Sequence, residues 1–566
     1  MNFVEKIGVK TCSWQAFERL LSRLLMCAGY KNVRNVGGSG DHGADVIASK
    51  FGKRWLVQAK QWKKPVGIDV LNYTLQSLRD FKADIPVIAA SNGFDADLRN
   101  QQPILLSQQV PLQLWDEKKI LEMASRLHDI PLNTREPRHY QESAISNIVQ
   151  PFFSNNENKS LIVLATGLGK TFVAAEAFRR IMANVGSKKV LVLAHTNSLV
   201  YQLEKSFWPF LSPSQSTLVW NGYEKPDFSR DYDFVFACVD TVAEALQKGV
   251  VYDFDAIIID ECHHAGSSTY RRIIKHYDAG GSGPFLLGLT ATPWRADEID
   301  ITEIFGSPRI SIDMVYGMKH GFLANVDYRM YTDNINWDSL KEIDGKMFSP
   351  KQINRTLFIN QWDDAVVSEL QLTWPEQEKP RAIVFCGTIE HAIIMRDKIN
   401  SLGFCSAAAV FSGTKDSLEE QPFYERNRIM CDFADGKINV ICTVDVFNEG
   451  IDVPDVNIIV FQRVTHSRRI FIQQLGRGLL ISEGKEKVIV LDFVSDIRRF
   501  AAGLDLKDKL IDKLSKRVDI PNKVTFKKVG GEDSATESFL REWLDDVASI
   551  ENATDDASIL KFPPKL

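Results

Sequence analysis

Leu161–Thr171, LIVLATGLGKT, is the stretch that decides how the rest of the chain is read. Leu161, Ile162, Val163 and Leu164 make a short apolar run of the kind that forms a buried β-strand, and the glycine-containing loop after it ends in Lys-Thr. A loop of this kind at a helix N-terminus cradles phosphates through backbone N–H groups, with the lysine on the β/γ-phosphates and the hydroxyl on Mg²⁺. Thr166, Gly167, Leu168, Gly169, Lys170 and Thr171 are therefore the candidate nucleotide-binding residues, and the two glycines let the backbone come close to the anion. Leu164 replaces the first glycine of the G-x-x-x-x-G-K-S/T pattern, so the loop alone does not separate a nucleotide site from a tight strand-to-helix turn. The neighbouring segments decide between them.

At 566 residues the chain is too long for a single core, and about three or four domains are expected. Its 44% hydrophobic and 25% charged content places it among ordinary soluble proteins. No apolar run approaches the roughly 18 residues that span a bilayer. The N-terminal residues lack the apolar core of an export signal, so the expected compartment is the cytoplasm. Eight cysteines without a C-x-x-C pair argue against a zinc knuckle or a disulfide framework. The net charge of −5 conceals an asymmetry: residues 1–125 carry 17 Lys and Arg against 12 Asp and Glu. Lys50, Lys53, Arg54, Lys60, Lys63 and Lys64 crowd one short stretch, which suits a phosphate-binding surface if chemistry lies beside it.

Residues 14–30 carry Trp14, Phe17, Leu20, Leu21, Leu24 and Leu25 at helical spacing. ADVIAS and RWLVQAKQW then read as two strands joined by the turn KFGK. Period-two alternation puts Leu56, Gln58 and Lys60 on one face, and Asp45 opens the partner strand, so Asp45, Gln58 and Lys60 are expected to converge at one end of a hairpin. A helix bearing Glu18, then GDHGADVI, then VQAK resembles the Mrr-type restriction endonuclease domain of the PD-(D/E)xK fold over about the first 120 residues. That resemblance implies Asp45 as a Mg²⁺ ligand, Glu18 assisting from the helix, and Lys60 steadying the attacked phosphate or the attacking water. Gln58 departs from the second acidic residue commoner at its position, which weakens the expected hold on metal.

PLNTREP (131–137) reads as linker. Residues 136–498 resemble a superfamily 2 helicase core of the subgroup that includes restriction-enzyme motor subunits. In family order the matching segments are PRHYQ, the phosphate loop, VLVLAHTNSLVYQ, DAIIIDECHH, GLTATPWR, NEGIDVPD and QQLGRGLL. The resemblance implies adenine recognition by Arg138 and Gln141, Mg²⁺ held by Thr171 and Asp260, and Glu261 orienting the attacking water. Thr290 and Thr292 would couple nucleotide state to domain closure, Gly450 and Asp452 would face the nucleotide, and Arg477 would be the arginine finger. Leu480 stands where a second arginine is expected.

The expected architecture is α/β. It comprises a restriction-endonuclease-like domain (1–125), a linker (126–135), two RecA-like parallel-sheet domains (136–325 and 326–498) and a helical, acidic C-terminal region (499–566). DLKDKLIDKLSKRV has amphipathic periodicity; residues 531–566 read as a solvated acidic tail, with a short docking helix at FLREWLDDV as the alternative. The expected function is an ATP- and Mg²⁺-dependent DNA translocase with an attached endonuclease, in restriction or anti-phage defence. Double-stranded DNA is the expected partner, with tracking on one strand; RNA is the lesser reading, and a protein partner or oligomer is left open. The alternatives are a DNA-repair helicase-nuclease and a motor whose N-terminal domain only binds DNA.

Overall fold

The computed structural model describes all residues except 38–42, 155–156, 187, 225–231, 251, 292–300, 313, 333–359, 412–420, 422, 445–455, 463–477, 482–484, 486, 494–522 and 529–566. The chain packs as two units. One holds residues 1–164, 169–311 and 422–428, and the other holds 165–168, 312–421 and 429–566.

The first unit contains two sheets. In the N-terminal sheet β1 (Lys31–Asn35), β2 (Val46–Lys50), β3 (Lys53–Lys60), β4 (Ile85–Ala90) and β5 (Gln113–Trp115) lie in chain order. The first three strands are antiparallel neighbours, and β3, β4 and β5 run parallel. Phe51 and Gly52, both at positive φ (53° and 71°), close the β2–β3 hairpin as a two-residue type I′ turn requires. Alternation along the strands separates two cores. Val46, Ala48, Val57 and Ala59 pack with Phe17, Leu20, Leu21, Leu24 and Leu25 of helix α2 (Trp14–Cys27), which follows the short helix α1 (Phe3–Ile7). Ile88 and Ala90 pack on the opposite face with Val70 and Leu71 of helix α3 (Asp69–Asp80).

The second sheet of this unit has the order β12-β6-β11-β10-β7-β9-β8. Its strands are β6 (Lys159–Leu164), β7 (Val190–Ala194), β8 (Thr217–Trp220), β9 (Phe234–Cys238), β10 (Ala256–Ile259), β11 (Phe285–Thr290) and β12 (Ile310–Ile312). The pairs from β6 through β8 are parallel, and these strands are continuous apolar runs because helices cover both faces. The other unit carries a parallel sheet of order β15-β16-β14-β17-β18-β13-β19 among the described residues. It is built from β13 (Asn325–Thr332), β14 (Ala382–Phe385), β15 (Ala407–Phe411), β16 (Val440–Val444), β17 (Ile458–Phe461), β18 (Lys487–Asp492) and β19 (Lys523–Lys528).

Strand β19 corrects one expectation. Within the region read as helical, Lys523–Lys528 pairs parallel with β13 and extends this sheet. Val524, Thr525 and Phe526 are residue types that favour strands, a signal masked by the amphipathic period before them. The two helices expected over 505–518 and 539–547 lie outside the described residues, as do Thr292, Gly450, Asp452 and Arg477. No helix among the described residues is long and apolar enough to cross a membrane.

Candidate active sites

The phosphate loop lies where the sequence puts it, between strand β6 and the helix Lys170–Val185. Gly167 and Gly169 both adopt positive φ, 88° and 85°, which turns the chain back and aims backbone N–H groups along the helix axis. Lys170 opens the helix, and Thr171 follows it in the first turn. Gln141 is buried, its side-chain oxygen accepts from the Arg138 N–H (3.0 Å), and its Nε2 stands 2.7 Å from where a Cβ on residue 169 would lie. A Gly169→Ala protein therefore meets both a left-handed backbone, which costs about 1–2 kcal/mol, and the Gln141 amide. Its expected outcome is ATP affinity at least tenfold weaker in a nucleotide titration.

Asp260 and Glu261 emerge at the end of β10, beside the loop. Lys170 Nζ pairs with Glu261 Oε1 at 3.4 Å, and His263 Nδ1 approaches Glu261 Oε2 at 3.3 Å. Burial pushes Glu261 up, but the Lys170 charge and the hydrogen bond from His263 outweigh it and hold the carboxyl below the usual range. Asp260 goes the other way, to about 6, because burial and the Glu261 charge exceed the pull of Lys170. Asp260 Oδ1 is buried with no hydrogen-bond partner among the described residues. A buried carboxylate oxygen left unsatisfied is costly, and a hard cation or its bound water would satisfy it, so the residues present fit Mg²⁺. Glu261 itself is held at φ 47°, sparsely populated for a side chain of its size, at the point where the water-orienting carboxylate is expected.

Thr290, at the end of β11, is fully buried and lies 3.2 Å from His263 Nδ1. His263 thus touches both Glu261 and Thr290, a link that sequence reading missed. The signal was present as the residue two places after Glu261 in DECHH.

The second constellation sits on the N-terminal hairpin. Asp45 is buried, immediately before β2, and its Oδ2 accepts the Ala59 N–H at 2.6 Å. The β2–β3 register places it opposite Gln58, on the face that also carries Lys60. The Thr74 hydroxyl of α3 gives its single proton to the Val70 carbonyl (2.9 Å), so Gln58 meets it with the amide nitrogen. The Gln58 oxygen is then turned to Lys60 Nζ at 3.1 Å. Gln58 therefore orients the lysine here. Asp45, Gln58 and Lys60 do converge. Glu18 is half-buried on α2, the helix that packs against the opposite face of the sheet. Among the described residues no group of three or more His, Cys, Asp or Glu is placed to hold a metal.

Residues 9–124 match the family model described as restriction endonuclease, of the Mrr catalytic type. Residues 134–295 match the res subunit of type III restriction enzymes, and 364–479 match the helicase conserved C-terminal domain. The type I restriction enzyme EcoAI endonuclease subunit of Escherichia coli is 28% identical over 466 residues, covering 74% of this chain and 56% of its own length. The chain thus spans little more than half of that relative. The DNA 3'-5' translocase XPB2 of Sulfurisphaera tokodaii is 25% identical over 387 residues, covering 63% of this chain and 81% of the relative. Among solved structures, the ATP-dependent type ISP restriction-modification enzyme LlaBIII bound to DNA superposes with a TM-score of 0.55 at 15% identity. It covers 95% of this chain and 42% of its own.

Proposed function

We propose that this chain, which joins a restriction endonuclease domain to a helicase core, hydrolyses ATP to move along DNA and cuts that DNA at its N-terminal hairpin, as part of a restriction or anti-phage system. The observation that carries the motor is the Lys170–Glu261 pair beside the unpartnered Asp260 oxygen (3.4 Å for the pair). Phosphates arriving at the loop compete with Glu261 for the lysine. Once released, the Glu261 carboxylate is available to orient water. Arg138 and Gln141 select the base, and Thr171 and Asp260 hold Mg²⁺; Gly450, Asp452 and Arg477, outside the described residues, would keep the nucleotide-facing roles that the resemblance implies. Mg²⁺ would neutralise charge on the phosphates as it builds.

At the hairpin Asp45 would hold a divalent cation, which polarises the attacked phosphate and supplies hydroxide. Lys60, oriented by Gln58, would stabilise charge on that phosphate. A second reading, that the N-terminal domain only binds DNA, is favoured by the lack of a three-ligand group among the described residues. One experiment decides between them: the purified protein is incubated with circular and linear DNA, modified and unmodified, with Mg²⁺, with and without ATP. Strand breaks that accumulate with ATP support the proposal, and breaks confined to unmodified or to modified DNA would assign restriction over repair. DNA-stimulated ATP hydrolysis without breaks on any substrate would favour the binding module.

A further inference from the structure

Helix α2 does more than cover its own sheet. Arg19, in the turn next to Glu18, points away from the endonuclease core into a buried set of carboxylates on the ATP-binding sheet's side of the same unit. Its Nε lies 2.7 Å from Glu204 Oε2, and its Nη1 and Nη2 grip both oxygens of Glu224, the latter at 3.0 Å. The carboxylates are themselves held. Thr217 Oγ1 donates to Glu204 Oε1 (2.6 Å), and Tyr201 OH donates to Glu224 Oε1 (3.2 Å). Burial lowers the proton affinity of Arg19, but the two carboxylates outweigh it, and the guanidinium stays charged.

Tyr201 and Glu204 belong to the helix Asn197–Phe207, and Lys205 of that helix donates to the Val33 carbonyl of β1 at 2.8 Å. The same helix follows directly on β7, whose Leu193 carbonyl accepts the Asp260 N–H (3.2 Å). His195, just before its Thr196 cap, packs against His264 with ring centres 4.6 Å apart and the rings tilted by 45°. One end of this helix is therefore tied to the nucleotide site and the other to the endonuclease.

An apolar interface alone tolerates sliding, because burial has no direction. A planar guanidinium hydrogen-bonded through both terminal nitrogens to Glu224, with Glu204 ion-paired beside its Nε, has one register. We propose that Arg19 is a positioning residue. Together with Glu204 and Glu224 it fixes the endonuclease to the ATP-binding sheet through the helix Asn197–Phe207, so that the two move as one body and the cut falls at a set offset from the motor's grip on DNA. The second half of this statement rests on the function proposed above. The first half does not.

The test uses the full chain with Arg19→Ala and with Glu224→Gln, which removes one charge at constant shape and keeps the proposal testable where the alanine protein fails to fold. Hydrogen exchange followed by peptide should rise tenfold or more in residues 14–27 and 197–207, with the sheet of the second unit unchanged. Cut ends on DNA carrying a fixed protein roadblock should scatter along the track, while DNA-stimulated ATP hydrolysis stays within twofold of wild type. A merely structural role would lower ATP hydrolysis and cutting together, with no scatter. The swapped pair Arg19→Glu with Glu224→Arg should narrow the cut distribution again. Unchanged exchange in residues 14–27, or cut positions as sharp as in wild type, would overturn the proposal. If the wild type hydrolyses ATP but never cuts, the function proposed above fails, and the exchange measurement still decides the coupling.

Discussion

A Glu261→Gln protein is expected to bind ATP at least as tightly as wild type and to hydrolyse it on the order of 10²–10⁴-fold more slowly, the usual worth of a positioned general base. The amide keeps the shape of the side chain but cannot take a proton from water, so the chemical step is lost. Binding should improve because Lys170 is now paired to the carboxylate at 3.4 Å, and phosphates must displace that partner. Removing the charge frees the lysine. Lys170→Ala should instead weaken nucleotide binding and turnover together. Nucleotide titration and phosphate release on the same preparations separate the two effects. A Glu261→Gln protein turning over at the wild-type rate would remove the assignment of the base.

The second large effect is at the hairpin. Within residues 45–60 Asp45 is the sole carboxylate, on the face shared with Gln58 and Lys60, and Gln58 is engaged with Lys60 and Thr74. Asp45→Ala leaves too few anionic ligands for a cation that prefers carboxylates and water. Lys60→Ala removes the compact charge facing the phosphate. Each should lower DNA cleavage by 10²-fold or more, the usual worth of one electrostatic stabiliser, while DNA-stimulated ATP hydrolysis stays close to wild type.

Much of this was legible in the chain because it is local. The apolar run before the phosphate loop, the Asp-Glu pair after Ile259, and the alternation of Leu56, Gln58 and Lys60 are short patterns whose structural consequence follows from strand and helix geometry. What the sequence hid are relations across folded distance. Nothing local shows that Gln141 abuts Gly169, that Lys170 rests on Glu261, or that His263 reaches Thr290. The reading of Gln58 as a poor metal ligand missed its partner because Thr74 comes from a helix on another part of the chain. Nothing local marks Arg19 as the partner of Glu204 and Glu224, which lie about two hundred residues further along the chain. At the C-terminal end, Lys523–Lys528 took its strand from the exposed edge of β13, an influence that no periodicity records.

The most direct test of the whole account is a paired time course on one preparation of plasmid DNA, Mg²⁺ and ATP, recording strand breaks and phosphate release for wild type, Glu261→Gln and Asp45→Ala. Wild type should give both signals, Glu261→Gln should lose phosphate release and the ATP-dependent breaks, and Asp45→Ala should lose the breaks alone. An Asp45→Ala protein that still cuts, or a Glu261→Gln protein that cuts with ATP as fast as wild type, would contradict it.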